Sequence, residues 1–444
     1  MVSPDLPPSP IGPADAPLAT DAALVDAALV EAAPDFHAPG QTKGQREPMP
    51  AGFWPIWTTV LLDLIGFGIA LPVLGIYAID RFNASGLMIG LLGSAYSFAQ
   101  FLAAPVLGKM SDRYGRKPLL MFSLIGTAVA ALLTGLAGSL WLLILWRFAD
   151  GLSGASYGVA SSAIADIATP ERRSTLLGML GAAFGIGFTI GPAIGALMTW
   201  IGGPRAPFFL LAALSAINAV VMFIRVKETR HLAADQTAEL AASGELSGLA
   251  TSWRGNGLPL LLCAGITTAF AFTAFETLFS AFGRTNLGLT QSSAGWALAV
   301  VGVVSSIVQG GLIGPVSKKI SNLRLGGVGL ATTAGGLAMF GSANGWLLLI
   351  PAVIAIAIGQ GFAGPSLSAE VANRIAPEKR GTVLGVDQSW RSGASVIGPL
   401  AGGLVFDHID HAAPFYLGAA LFVIAGITVL RASRRSVPAA ASTA

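Results

Sequence analysis

Gly108-Lys109-Met110-Ser111-Asp112-Arg113-Tyr114-Gly115-Arg116-Lys117-Pro118 sets four cations and one acid between two long apolar runs. Gly108 and Gly115 permit close backbone approach or a positive φ, and Pro118 suits the first turn of a following helix. A charged island between apolar runs of about 20 residues reads as a tight connection between two membrane-spanning helices. The rest of the chain agrees. Of its 444 residues 53% are hydrophobic and 11% charged, where an average soluble chain carries about 25% charge.

Working outward from that turn, apolar stretches are predicted near 54–79, 87–108, 118–137, 140–165, 175–201 and 206–226. Six more follow near 257–283, 291–316, 325–343, 345–372, 381–405 and 412–431. The chain then divides into an acidic tail, 1–50, and a six-helix bundle, 51–226. A polar linker, 227–256, leads to a second six-helix bundle, 257–432, and a short tail, 433–444. The first 50 residues hold seven acids against Lys43 and Arg46 and lack long apolar runs, so no packed core is predicted there.

The basic residues test the count. Alternate connections hold 19 lysines and arginines, from Lys109 to Arg435, and the opposite connections hold only Arg81, Arg205 and Arg284. The positive-inside rule places the rich side, and with it both termini, in the cytoplasm. An internal repeat links the halves. Thr169-Pro170-Glu171-Arg172-Arg173 is echoed by Ala376-Pro377-Glu378-Lys379-Arg380, 207 residues on. The same offset carries Gly178 to Gly385, Gly191-Pro192 to Gly398-Pro399 and Gly195 to Gly402. Duplicated six-span halves imply a cavity between them that opens alternately to each side. The expected class is an all-α membrane protein of twelve helices in two pseudo-symmetric bundles.

The four histidines fall in the tail or in connections, and the single cysteine, Cys263, lies in an apolar stretch. Nothing has metal-ligand spacing, and no nucleophile–base set or phosphate loop stands out. No metal, cofactor, nucleic acid or catalytic activity is expected, and the chain is expected to act as a monomer in the lipid bilayer.

The opening turn resembles the GxLaDRxGRK-type signature of the major facilitator superfamily. Three further strings agree with that resemblance. Asp63-Leu64-Ile65-Gly66-Phe67-Gly68-Ile69-Ala70-Leu71-Pro72 is similar to the first-helix motif of the drug:proton antiporters. Arg147 with Gly151 and Gly154 is similar to the fourth-helix motif, with Asp150 where that motif usually has Gln. Gly181, Gly185, Gly187, Gly191, Pro192 and Gly195 are similar to the fifth-helix motif associated with exporters. From 54 to 431 the chain most resembles the tetracycline/proton antiporter branch. The resemblance implies the two-bundle fold and proton-coupled efflux. It also implies a cytoplasmic gate in which Asp112 packs near the start of the eleventh helix, while Arg113 or Arg116 pairs with Asp166, which ends the fourth. Gly108, Gly115 and Lys117 belong to the same gate.

Within the spans lie Asp63, Arg147, Asp150, Glu276, Asp387 and Arg391. An acid at a helix centre costs around 2.5–3.5 kcal/mol on insertion scales, so each is a functional candidate. Asp387 and Arg391 are spaced i,i+4 and Arg147 and Asp150 i,i+3, so either pair can neutralise itself. Asp63 and Glu276 have no cation on their own helix, which makes them the leading candidates for proton coupling, followed by Asp150 and Asp387. Their alternative is a buried acid bonded to Arg147 or Arg391. Phe67, Tyr96, Gln100, Phe272, Phe275, Phe279 and Trp390 are candidates for lining a cavity that takes amphiphilic or aromatic compounds. The expected function is proton-coupled export of small amphiphilic compounds across the cytoplasmic membrane. The alternatives are a metabolite or sugar transporter, including a proton symporter, and a non-transporting membrane receptor or scaffold.

Overall fold

The computed structural model describes residues 49–50, 52–154, 156–226, 228, 257–375 and 380–434. Nearly all of the acidic tail, the linker apart from Glu228, the Ala376–Lys379 part of the repeated string and residues 435–444 lie outside that set.

The described residues form twelve helical rods. The first half holds α1 (Phe53–Phe82), α2 (Gly86–Tyr114), α3 (Arg116–Leu136), α4 in two segments (Leu140–Ser153 and Ser156–Ile167), α5 (Pro170–Gly202) and α6 (Ala206–Arg225). The second holds α7 (Leu258–Leu287), α8 (Gln291–Ser317), α9 (Asn322–Gly341), α10 (Trp346–Asn373), α11 (Arg380–His408) and α12 (Ala413–Arg434). Local chemistry starts and stops them. Ser85 and Ser139 accept the N–H of Met88 and Leu142 at the starts of α2 and α4. Thr290 and Ser293 form a reciprocal capping box at the start of α8. Gly115, between α2 and α3, takes φ 107°, a conformation that L side chains rarely adopt.

Ten of these rods are long and apolar enough to cross a membrane. The other two depart for visible reasons. α4 is broken at Gly154 into pieces of 14 and 12 residues, and α11 carries Asp387, Gln388 and Arg391 in its middle. Large apolar side chains such as Trp141, Trp200, Ile224 and Leu347 point outward. A soluble protein would bury them, whereas a lipid-facing perimeter leaves them solvated by acyl chains.

The packing repeats as the sequence does. α1 lies on α5 as α7 lies on α11, α3 on α6 as α9 on α12, and α2 on α4 as α8 on α10. Between the halves, α2 packs on α11 and α8 on α5, two seams that the 207-residue repeat exchanges. The glycines explain the closest approach. Gly187, Gly191 and Gly195 of α5 sit against the backbone of α1 at Leu64–Ile65, Gly68 and Ile69, and Gly398 and Gly402 sit likewise on α7. Without a hydrophobic drive between helices in lipid, such small-residue contact is what holds a pair. A Cβ on Gly191 would fall 2.7 Å from the Cα of Gly68. Gly191→Val is therefore expected to destabilise by about 1–3 kcal/mol. Gly181→Val, facing open space, should leave the melting temperature of the detergent-solubilised protein unchanged.

The two ends of the bundle differ. The end that carries the Gly108–Pro118 turn is here called the basic end. There the last turns of α2 and α8 are largely exposed, and nothing lies within 4 Å of a Cβ built on Gly108, Gly181, Gly310 or Gly314. At the opposite end the halves touch. Asp80 of α1 pairs with Arg284 of α7 at 2.7 Å. Nearer the middle, Ser94 donates to the Val396 carbonyl at 2.6 Å, and Thr189 and Ser306 hydroxyls meet at 2.9 Å.

Candidate functional site

A cavity of about 580 Å³ lies between the halves, lined from the first mainly by α1, α2 and α4, with single residues of α3, α5 and α6, and from the second by α7 and α11. Its first wall is an apolar stripe with one acid. Asp63, Phe67, Ala70, Leu71 and Leu74 recur at helical spacing on α1 and all face the cavity. The Asp63 carboxylate accepts a hydrogen bond from Ser156 and has no cation bound to it among the described residues. Arg147, the nearby candidate partner, is committed to Asp150 at 2.8 Å, and its guanidinium lies 4.5 Å from the centre of the Tyr96 ring. Asp150 is also hydrogen-bonded to Thr127. The pair, both partners well buried, faces the same cavity as Asp63.

Gln100 has a structural task as well. The break in α4 frees the Gly154 carbonyl, and Gln100 Nε2 donates to it at 2.7 Å. A backbone group exposed at membrane depth needs such a partner. The break also leaves Ser156 and Tyr157 at the cavity wall beside Arg147 and Asp150.

The second wall is polar without a cation. Glu276 of α7 faces the cavity between Thr273 and Thr277, opposite Gln388 and Ser395 of α11. Glu276 has no hydrogen-bond or ion-pair partner among the described residues. These hydroxyls and amides, like Ser156, Thr127 and Phe188, carry no sequence signal apart from their spacing to Glu276 or Asp63.

Two expectations about the cavity are corrected. Phe275 and Phe279 do not line it: they pack with Phe282, Phe340 and Phe415 in an aromatic core joining α7, α9 and α12, with ring centres 4.8–5.8 Å apart along the chain of contacts. Phe272 packs against Phe275 at 5.9 Å on the same side. At about 100° per residue the phenylalanines point to one side of Glu276, and Thr273 and Thr277 to the other. The stripe is a packing face that abuts the acid. Trp390 is 63% exposed and lies some 200° around α11 from Gln388, so it too misses the cavity. Asp387 and Arg391 bond each other at 2.8 Å, but neither lines the cavity, and the guanidinium rests on Gly265 of α7. Phe275→Ala should accordingly cost about 3–5 kcal/mol of stability, seen as a lower melting temperature, while the ranking of transported compounds stays as in the parent.

At the basic end Arg116, rather than Arg113, makes the pair with Asp166, at 2.9 Å, and it also holds Asp112. Arg113 stacks on Tyr114 at 5.3 Å. Lys117 donates to the Phe223 carbonyl at 2.7 Å. Asp112 itself is 63% exposed; the side chains at the start of α11 are outside the described residues, and Asp112 is bound within its own half. Glu228, just past α6, accepts the Arg116 and Lys117 N–H groups at 2.8 and 3.1 Å and so caps α3. No sequence spacing pointed to it. Among the described residues no group of three or more His, Cys, Asp or Glu is placed to hold a metal.

Twelve helical rods, ten of them long and apolar enough to cross a membrane, small-residue seams repeated in two halves and a charged cavity between them define a multi-pass membrane transporter fold. Comparison with known proteins gives the family. Residues 56–399 match the profile of the Major Facilitator Superfamily. Over 355 residues the chain is 30% identical to the tetracycline resistance protein, class B, of Escherichia coli, covering 78% of this chain and 86% of that one. It is 27% identical to multidrug resistance protein 2 of Bacillus subtilis (strain 168), covering 86% and 96%. Among solved structures the nucleoside transporter NupG superposes with a TM-score of 0.70 at 15% identity, covering 86% of this chain and 99% of that one. The chain belongs to the Major Facilitator Superfamily.

Proposed function

We propose that this protein exports small amphiphilic or drug-like compounds across the cytoplasmic membrane in exchange for protons, by alternating access. The observation that carries this is the cavity: about 580 Å³, within the range of small-molecule sites, with two carboxyls that no cation among the described residues neutralises. Holding such groups at membrane depth is costly, and a fold retains them where they act. Asp63 and Glu276 load and release protons as the cavity alternates, and the Arg147–Asp150 pair sets the field around Asp63. Phe67 and Tyr96, whose rings are 6.2 Å apart, offer a flat apolar surface to the compound. The names of the resistance-protein relatives support the substrate class, and the positive-inside count supports cytoplasmic termini.

In the mechanism, 51–226 and 257–432 rock against each other about the cavity, with 227–256 as the tether. The exposed seam helices at the basic end are those of a cavity open to the cytoplasm. Arg116, Asp112, Asp166, Gly108, Gly115 and Lys117 form the gate that closes that end. A proton entering down one pH unit supplies about 1.36 kcal/mol, and 100 mV adds about 2.3 kcal/mol per charge. Together these sustain a gradient of several hundred-fold for a neutral compound. The test is a compound panel in everted vesicles energised with an acidic interior. Uptake of lipophilic compounds that collapses with the pH gradient supports the reading. Transport driven in the same direction as the proton would make the protein a symporter, and no movement of any compound by folded protein would refute the exporter.

A further inference from the structure

The end of the bundle away from the basic turn carries a contact that the transport site does not use. Asp407, at the last turn of α11, reaches across to the other half, where one carboxylate oxygen accepts the Gly86 N–H at 2.7 Å and the other the Leu87 N–H at 2.8 Å. These are the first two residues of α2, so the carboxylate of one half caps the helix of the other. The first N–H groups of a helix have no intrahelical partner, and a negative charge there is stabilised by the helix dipole. The surrounding contact is backbone on backbone. A Cβ on Gly403 would meet the Gly86 carbonyl carbon at 2.9 Å, and one on Gly90 would meet the Pro399 carbonyl carbon at 3.0 Å. Gly86, Gly90, Pro399 and Gly403 thus let α2 and α11 come close enough for Asp407 to reach. Asp80 and Arg284 add an ion pair between α1 and α7 at the same end, with both side chains more than one-third exposed.

We infer that Asp407 is a gate residue of the transport cycle, a charge–dipole latch that holds the end opposite the basic turn closed. Opening that end must pull α11 from the start of α2, and this exposes two N–H groups and a carboxylate to water together. α2 and α11 run antiparallel along their seam, and Asp112 lies near the far end of α2, where α11 begins. One seam therefore carries an acid at each end: Asp407 on the first turn of α2, and Asp112 in the last turn of α2, bound here to Arg116. The other seam does not repeat this: the 207-residue offset carries Asp407 back to Trp200 on α5 and Asp112 on to Lys319, just past α8. The switch between open ends is carried by α2 and α11, with Asp407 favouring one state and Asp112 the other.

The inference rests on alternating access and not on the substrate or the proton, and its test needs neither. Spin labels at Trp141→Cys and Leu347→Cys, exposed sites on opposite halves at this end, are placed on a Cys263→Ser background. Double electron–electron resonance in lipid nanodiscs then reads how far the halves separate there. Asp407→Asn should shift the ratio of long to short distances about two- to fivefold towards long, the range a charge at a helix end commands. Asp112→Asn should shift it towards short, and the double variant should return near the parent. Asp407→Glu keeps the charge and should stay near the parent; it serves as the folding control. An Asp407→Asn distribution equal to the parent or shorter than it would overturn the latch, as would Asp407→Glu opening as far as Asp407→Asn. If Asp407→Asn does not fold, Arg284→Gln must lengthen the distance, and a failure to do so counts against a charge-held closure. Transport of no compound by a protein that shows these shifts would sink the exporter reading and leave the latch standing.

Discussion

Asp63→Asn is expected to remove gradient-driven export while leaving folded protein in the membrane. The Asn amide keeps a polar group for Ser156 and removes a charge that has no cation among the described residues, so neither packing nor solvation suffers. What is lost is a site that can be charged on one side and neutral on the other. A proton gradient of one pH unit sustains up to about a tenfold concentration ratio per proton coupled, and in the variant this ratio should fall to one. Substrate counterflow without any gradient should survive, because the cavity walls are intact. Gradient-driven accumulation that persists in Asp63→Asn would remove this residue from the coupling step; loss of counterflow as well would make it part of the binding surface.

Arg147→Ala should be the most damaging single change in the first half. It strands Asp150, a buried carboxylate whose only cation among the described residues is this arginine, and it takes a cation from the face of Tyr96. Breaking a buried pair by removing one partner costs about 3–5 kcal/mol. Arg147→Ala is expected to lower the melting temperature sharply or to prevent recovery of folded protein. The double variant with Asp150→Ala should recover most of the stability without recovering transport. A double variant no more stable than the single would show that the arginine acts through packing over Tyr96 instead of through charge. The Asp387–Arg391 pair has the same chemistry outside the cavity lining. Its paired removal should restore both stability and transport, which separates a structural pair from one at the site.

Where the chain crosses the membrane was legible because lipid imposes length, hydropathy and loop charge directly on the sequence. Gly191-Pro192 and Gly398-Pro399 could be read as a repeated fold element because close helix contact in lipid demands small residues. The Gly108–Pro118 turn likewise fixed a connection between α2 and α3, but it left Arg113 and Arg116 as equal partners for Asp166. The choice depends on where α4 ends in space, and that gives the position to Arg116. On α7, spacing placed three phenylalanines near Glu276 but could not say which side of the acid faced the cavity. The neighbours Phe340 and Phe415, from α9 and α12, decided it.

By itself, then, the sequence determined the twelve spans, the duplication, the basic end and the two acids without a cation on their own helix, since each follows from composition or from spacing along one helix. Only the tertiary structure decided that Asp63 meets Ser156, that Arg147 faces the cavity while Arg391 does not, and that Glu228 and Asp407 cap helices they do not belong to. Those facts depend on how separate helices are rotated and apposed, and nothing local to either segment encodes a contact made across 321 residues.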